Sequence, residues 1–393
     1  MSEMSRRQVL ISGGALGALG ALGIGAAAQA GIGPPTGLDP RWVWDAEADP
    51  LVASLLDRGA VPEVNRLLWN WTRNDQPLPA GLPADLVAFI DGARQLPSWA
   101  DQRKLELAAE FNKSRGFYLN LLNGVGGGML STAIPKEARA VYYSAGGANM
   151  EDRVAKTSIL GFAVGSLNAY RPDGNCIVNS VKTRLVHAGV RHLLQQSPHW
   201  TSGIPISQTD ILVTWHTLAT FAMRKLREWR VPISAADADA YLHSWQVTVH
   251  MLGVRDEFIP ATWEAAYAQS DQVLPPNMGP TREGVELTDI LLGQLAEQTS
   301  PGSISRPLCN ALGRFLVGDQ VADWDQIPHE WVWESVIRNV WPILVRFREG
   351  LVPLPLVPEM AWVIDEALRQ YILFFLTKGR ETKIVIPTGN RPS

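Results

Sequence analysis

Cysteine is scarce: the 393 residues include two, Cys176 and Cys309. They cannot form Cys-x-x-Cys-His, which excludes a c-type thioether attachment. Nor can two thiols supply the four ligands of an all-thiolate zinc site or iron–sulfur cluster. One disulfide, or two buried thiols, suits them equally well. Charge is thin too, with 19% Asp, Glu, Lys and Arg and a formal net charge of -4. No basic excess is available for nucleic acid or an anionic membrane.

Other absences narrow the chemistry. The seven histidines are His187, His192, His199, His216, His243, His250 and His329. None belongs to a His-Glu-x-x-His pair, and none follows a glutamate by three residues, so zincin and di-iron helices are excluded. No Gly-x-Ser-x-Gly elbow is present for a serine hydrolase. Gly124-Val125-Gly126-Gly127-Gly128 lacks the spacing, the preceding strand and the Lys-Ser/Thr of a phosphate loop. It reads as a tight turn or a close approach of helices. What remains is a site with one protein nitrogen ligand and a cofactor that supplies the rest. Haem fits that description.

Apolar residues, at 46%, suffice for a substantial core in one large domain or two intimate ones. Ser5-Arg6-Arg7-Gln8-Val9-Leu10 is a twin-arginine pattern ahead of a Gly/Ala-rich run. Ala28-Gln29-Ala30 fits a cleavage site, so residues 1–30 are expected to be an export signal and 31–393 the domain. Twin-arginine export carries folded proteins, often with a cofactor inserted. Nothing later reads as transmembrane, so no membrane contact is expected after cleavage.

The domain reads as mostly helical. Ser207-x-x-Asp210 opens a pattern running to about Arg230, and Ser234-x-x-Asp237 opens another to about Gly253. Pro135 starts a helical turn. Further helical stretches lie near 83–95, 104–123, 150–166, 179–196, 284–298, 305–317, 329–348 and 358–377. Residues 31–60 read as an irregular lead-in, 350–358 as a rigid connector, and 383–387 as the best short strand. Most of the fifteen tryptophans are expected to pack between helices.

Two constellations stand out. On a helix over 179–196, Thr183, His187, Val190 and Leu194 share one apolar face, with Gly189 expected to leave room beside His187. His192 falls nearer the polar flank. By itself, a lone inward histidine is more often a hydrogen-bonded core residue than a ligand. Arg153, Lys156 and Thr157 lie at i, i+3 and i+4 and share another face. That face is either a solvated surface or, because the buried Ile159–Val164 run follows, a place where cations meet an acidic or ligand group.

The Arg153-Val-Ala-Lys-Thr-Ser158 run, the Lys182-Thr-Arg-Leu-Val-His-Ala-Gly-Val-Arg191 segment and the twin-arginine leader together resemble the latex-clearing protein family. The similarity covers nearly the whole chain after the leader, and Leu242–Pro260 matches the wider oxygenase family. The resemblance implies an all-α fold, a globin-like helical core with additional helices, and one b-type haem (iron protoporphyrin IX) per chain. It makes His187 the proximal iron ligand and Lys156 a distal ligand in a closed state. Arg153 would neutralise a propionate or steady bound oxygen; Thr157 would hydrogen-bond the ligand or fix Lys156. It places Glu137, on sequence alone merely a glutamate in a first helical turn, in the pocket as a candidate general base. The implied partners are polyisoprene and dioxygen, and the implied enzyme is a secreted, monomeric rubber dioxygenase. A related haem oxygenase with another apolar substrate, or a non-enzymatic haem- or lipid-binding helical protein, would share the same sequence features.

Overall fold

In the computed structural model, residues 37–144, 159–298, 305–350 and 383–390 are described. Among them the chain is all-α. Helices α1 (Ala48–Asp57), α2 (Val61–Leu68), α3 (Ala84–Ala93) and α4 (Gln102–Ser114) lead into α5 (Gly116–Asn120). A π-helical stretch, Leu121–Gly127, carries α5 into α6 (Gly128–Thr132), and α7 (Pro135–Tyr143) follows. Then come α8 (Cys176–Gln195) and α9 (Gln208–Trp215), a second π-helical stretch His216–Thr220, α10 (Phe221–Glu228) and α11 (Ala235–Met251). The series continues with α12 (Trp263–Asn277), α13 (Arg282–Gln298), α14 (Arg306–Val317), α15 (Asp319–Trp324) and α16 (Trp331–Arg348).

The starts of these helices follow local chemistry. Ser207 accepts from the Asp210 N–H while the Asp210 carboxylate accepts from the Ser207 N–H, a complete capping box. Ser234 caps α11 through the Asp237 N–H. Pro135 sits at the first position of α7, where its missing N–H costs nothing.

Several expectations need correction. The lead-in holds α1, whose Val52 and Leu55 are fully buried; Asp45 caps its start, accepting from the Glu47 and Ala48 N–H groups at 3.2 and 3.0 Å. The pattern over 104–123 is not one helix. It breaks at Arg115, with φ -113° and ψ 15°, before α5. Residues 383–387 alternate as a strand would, with Ile384 and Ile386 buried, but no strand pairs with them. Their partner is an amide: Asn65 Nδ2 donates to the Ile386 carbonyl and the Ile386 N–H donates to Asn65 Oδ1. The thiols of Cys176 and Cys309 are free and sit in separate apolar clusters, so no disulfide joins them.

Two large apolar clusters organise the core. One joins α4, α5, α9, α10, α11, α12 and α16 around Tyr118, Met223 and Tyr241; the other joins α1, α2, α3 and α8 around Leu55, Ile90 and Leu185. Helix α8 is tied to the N-terminal helices by three cations. Arg191 pairs with Asp49 at 2.7 Å, Arg184 with Asp45, and Lys182 donates to the Leu68 carbonyl at 2.8 Å. These bonds set its rotation.

The glycine run is a close helix approach rather than a turn. A Cβ on Gly126 would lie 2.6 Å from Phe221 Cε1; one on Gly127 would lie 2.6 Å from Leu218 Cδ2 and 2.9 Å from the Thr217 carbonyl oxygen. The two π-helical stretches touch there. A π-turn commonly marks a functional place in a helix, and here the pair holds α6 against α9. Gly127→Ala must push on backbone, so it is expected to cost about 1–3 kcal/mol, read as a lowered midpoint in thermal unfolding. An unchanged midpoint would mean that the contact yields freely.

Candidate functional site

Glu137 stands in the first turn of α7, half-buried where α7 meets α6 and α9. Thr214, in the last turn of α9, donates its hydroxyl to Glu137 Oε1 at 2.8 Å. Burial pushes the carboxyl up to about 8. The Thr214 hydroxyl pulls it back, the nearby Asp210 charge raises it further, and the Ser131 hydroxyl pulls back again. Asp210 is in turn held by Lys136 at 2.7 Å. A carboxyl titrating near neutrality can both take up and release a proton at ordinary pH, which an exposed glutamate cannot do.

Helix α7 leans on α8. Ala140 and Tyr143 of α7 pack with Val190 and Leu194 of α8, and Val186 borders them. His187 is half-buried one turn from this contact, on the same face of α8. The expected inward stripe is thus only partly buried at His187; the fully buried face of α8 runs through Val181, Leu185 and Ala188. Nor does Gly189 make room for His187. Two residues on along a helix points nearly the opposite way, and the missing Cβ of Gly189 admits Ile386 and Pro387 instead, at 3.0 and 3.3 Å.

The model for the family "ER-bound oxygenase mpaB/B'/Rubber oxygenase, catalytic domain" matches residues 117–347. That span runs from α5 into α16 and contains Glu137, His187 and Thr214. The chain is also 54% identical, over the full length of both, to the rubber oxygenase of Streptomyces sp. (strain K30). This chain belongs to the rubber oxygenase family. It is therefore an oxygenase. The solved structure of latex clearing protein in the closed state superposes with a TM-score of 0.82 at 54% identity, covering 91% of this chain and 98% of that one.

The resemblance read from the sequence implies a haem, whose iron a side chain would have to hold. Neutral imidazole nitrogen is the ligand to look for. His216 is the most buried histidine, but Nδ1 meets Thr220 at 2.8 Å and Nε2 meets Gln269 at 2.9 Å. Both nitrogens are used, and burial depresses its pKa to about 4. His192 is engaged with Asp57 and Gln196. His243 Nε2 accepts from the Asp101 N–H. His250 pairs with Asp256, and His329 with Glu334. His199 is exposed and stacked on Tyr143. His187 is half-buried on the α8 face beside α7, and the resemblance gives it the ligand role. Arg153, Lys156 and Thr157 lie outside the described residues. Among the described residues no group of three or more His, Cys, Asp and Glu could hold a metal ion. No helix described is long and apolar enough to cross a membrane.

Two residues escaped the sequence reading. Asp210 was legible only as a helix cap, and Thr214 carried no motif. Its one available signal was its place four residues after Asp210, on the same helix face.

Proposed function

We propose that this chain is an exported haem b enzyme that uses dioxygen to split C=C bonds of cis-1,4-polyisoprene. The products are oligo-isoprenoids with one aldehyde and one ketone end. Its full-length match to a protein named rubber oxygenase carries the substrate assignment. The near-neutral Glu137 beside the His187 face of α8 supports the chemistry.

Physical demands agree. Solid rubber cannot be imported, so the catalyst must leave the cell, and the twin-arginine leader of residues 1–30 provides the route. An uncharged polymer is held by apolar burial, worth about 25 cal/mol per Å². Bound haem would supply the redox chemistry with dioxygen that no side chain offers. His187 would hold its iron. On the other side Lys156 would approach the iron in a closed form, for which it must be neutral. Arg153 would face a propionate, and Thr157 would fix Lys156 or a bound ligand. Glu137 would take a proton from an allylic carbon of the polymer and hold it between Thr214 and Ser131.

The test is direct. Haem-loaded protein mixed with latex under oxygen is expected to consume oxygen and to generate aldehyde and ketone ends in equal number. Neither occurs under nitrogen. Haem-loaded protein that leaves latex intact but oxidises another apolar alkene would shift the assignment to a different substrate of the same family.

A further inference from the structure

Thr214 stands between two acceptors. Its Oγ1 lies 2.8 Å from Glu137 Oε1 and 3.1 Å from the carbonyl oxygen of Asp210, one turn back in α9. A hydroxyl has one hydrogen to give and two lone pairs to receive with. It therefore cannot donate to both acceptors at once. An ionised carboxylate can only accept, so with Glu137 ionised the hydrogen goes to Glu137. A protonated Glu137 brings its own hydrogen. It can donate to Thr214 Oγ1, and the threonine hydrogen then turns to the Asp210 carbonyl, the ordinary back-bond of a helical threonine.

We propose that Thr214 is a positioning residue that keeps Glu137 hydrogen-bonded in both protonation states, turning its hydroxyl between Glu137 and the Asp210 carbonyl as the proton comes and goes. No covalent bond on the threonine changes. The proton leaves and returns at Glu137 alone. The inference rests on the reading of Glu137 as a base. It adds the reason that the carboxyl keeps its orientation through a catalytic cycle, since a half-buried acid that lost its partner in one state would be free to swing away.

The surroundings favour this arrangement. Thr217 donates to the Thr214 carbonyl at 2.8 Å, which fixes the backbone that carries the hydroxyl. Ser131 stands 3.3 Å from Thr217 Oγ1 and offers Glu137 a second hydroxyl. The charged groups around the pair are few. Asp210 of α9 is paired with Lys136 of α7. Helix α13 presents Glu283 and Glu286, engaged by Arg139, Tyr143 and Tyr142. Helix α8 presents His187. Of these only Asp210 bears directly on the Glu137 carboxyl.

The experiment compares haem-loaded wild type with Thr214→Ser, Thr214→Val and Thr214→Ala. Two quantities are read across pH: oxygen uptake on latex, and the protonated-carboxyl stretch in infrared difference spectra, assigned to Glu137 by its loss in Glu137→Gln. Removing the hydroxyl withdraws a charge-assisted bond from the ionised form and only a weaker neutral bond from the protonated form. The Glu137 midpoint is expected to rise by roughly one pH unit in the Val and Ala variants. The ionised fraction at pH 7, and the rate with it, then falls about tenfold. Thr214→Ser, which keeps the hydroxyl, stays close to wild type. If Val disturbs folding, the Ser and Ala pair decides alone. A midpoint unmoved in Val and Ala, or a rate that drops equally at every pH, overturns the proposal and leaves Thr214 a packing residue. Wild-type turnover by Glu137→Gln would instead remove Glu137 as the base, while the infrared midpoint still reports on Thr214.

Discussion

Glu137→Gln is expected to fold, to load haem, and to consume oxygen on latex about 10²–10⁴-fold more slowly than wild type. Glutamine keeps the size of glutamate and still accepts the Thr214 hydrogen at the Oε1 position. It cannot take a proton at neutral pH. The substitution therefore separates a proton-holding role from a shape role. A helix-dipole role in the first turn of α7 is worth only about 0.3–1 kcal/mol and would leave turnover intact. A modest drop with altered product lengths would mean that Glu137 guides the polymer without abstracting a proton.

The same substitution has a stability signature with a definite sign. In the unfolded chain the carboxyl ionises around its ordinary 4.5; in the folded protein burial delays that to about 8. The folded state thus holds the extra proton between those values. Stability contributed by this group is complete below pH 4.5, falls as pH rises toward 8, and is flat above. Gln never ionises. Relative to wild type, Glu137→Gln should unfold at a higher temperature at pH 8 and at nearly the same temperature at pH 4. An enzyme that is more stable and yet inactive cannot have failed by unfolding, so the two measurements support one another. Wild-type turnover in a haem-replete variant would sink the base assignment.

How far the sequence reached can be judged from these helices. Ser207 with Asp210, Ser234 with Asp237, and Pro135 each declared a helix start through local hydrogen-bonding chemistry, and each start was found. The inward stripe of α8 was only half legible: Val190 and Leu194 are buried but Thr183 and His187 only partly. Val181, Leu185 and Ala188 form the fully buried face, and the cations Lys182 and Arg191 are buried too. The glycine run was legible as a close approach but not as a π-helix, since nothing local distinguishes an i+5 bond from an i+4 one. Helix α1 was missed although Asp45 caps it through the Ala48 N–H; its signal was a lone aspartate, and burial of Val52 and Leu55 confirms the helix only in the fold.

Glu137 was named only through the resemblance, and Arg153, Lys156 and Thr157 lie outside the described residues. Glu137 and His187 could each be named, but their helices are brought together by Ala140, Tyr143, Val190 and Leu194, contacts that no spacing announces. Thr214 lies 77 residues from Glu137 in sequence, and only folding makes them partners. The reverse also occurred. Gly189 is close to His187 in sequence but serves the Ile386–Pro387 segment on the other side of α8. Neighbourhood along a helix predicts a shared face at three or four residues and the opposite at two.

His187→Ala is expected to yield a helical protein that retains almost no haem. A b-type haem is held without thioether bonds, so one strong axial nitrogen anchors it. The remaining histidines offer poor substitutes. His216 would have to surrender Thr220 or Gln269 in a closed interior, leaving a buried polar group unpaired at about 1–3 kcal/mol. His192 faces Asp57 on another side of α8. The fold should tolerate the change, because His187 is only half-buried and α8 is fastened independently of it by Arg184, Arg191 and Lys182. Circular dichroism should therefore remain helical while pyridine haemochrome analysis shows the cofactor gone. Added imidazole, which can enter the space left by the side chain, should restore part of the haem. Imidazole rescue would distinguish a lost ligand from a collapsed pocket. Full haem occupancy in His187→Ala without imidazole would take the iron away from His187, and a second substitution at His216 would then show whether that buried ring had given up its partners to replace it.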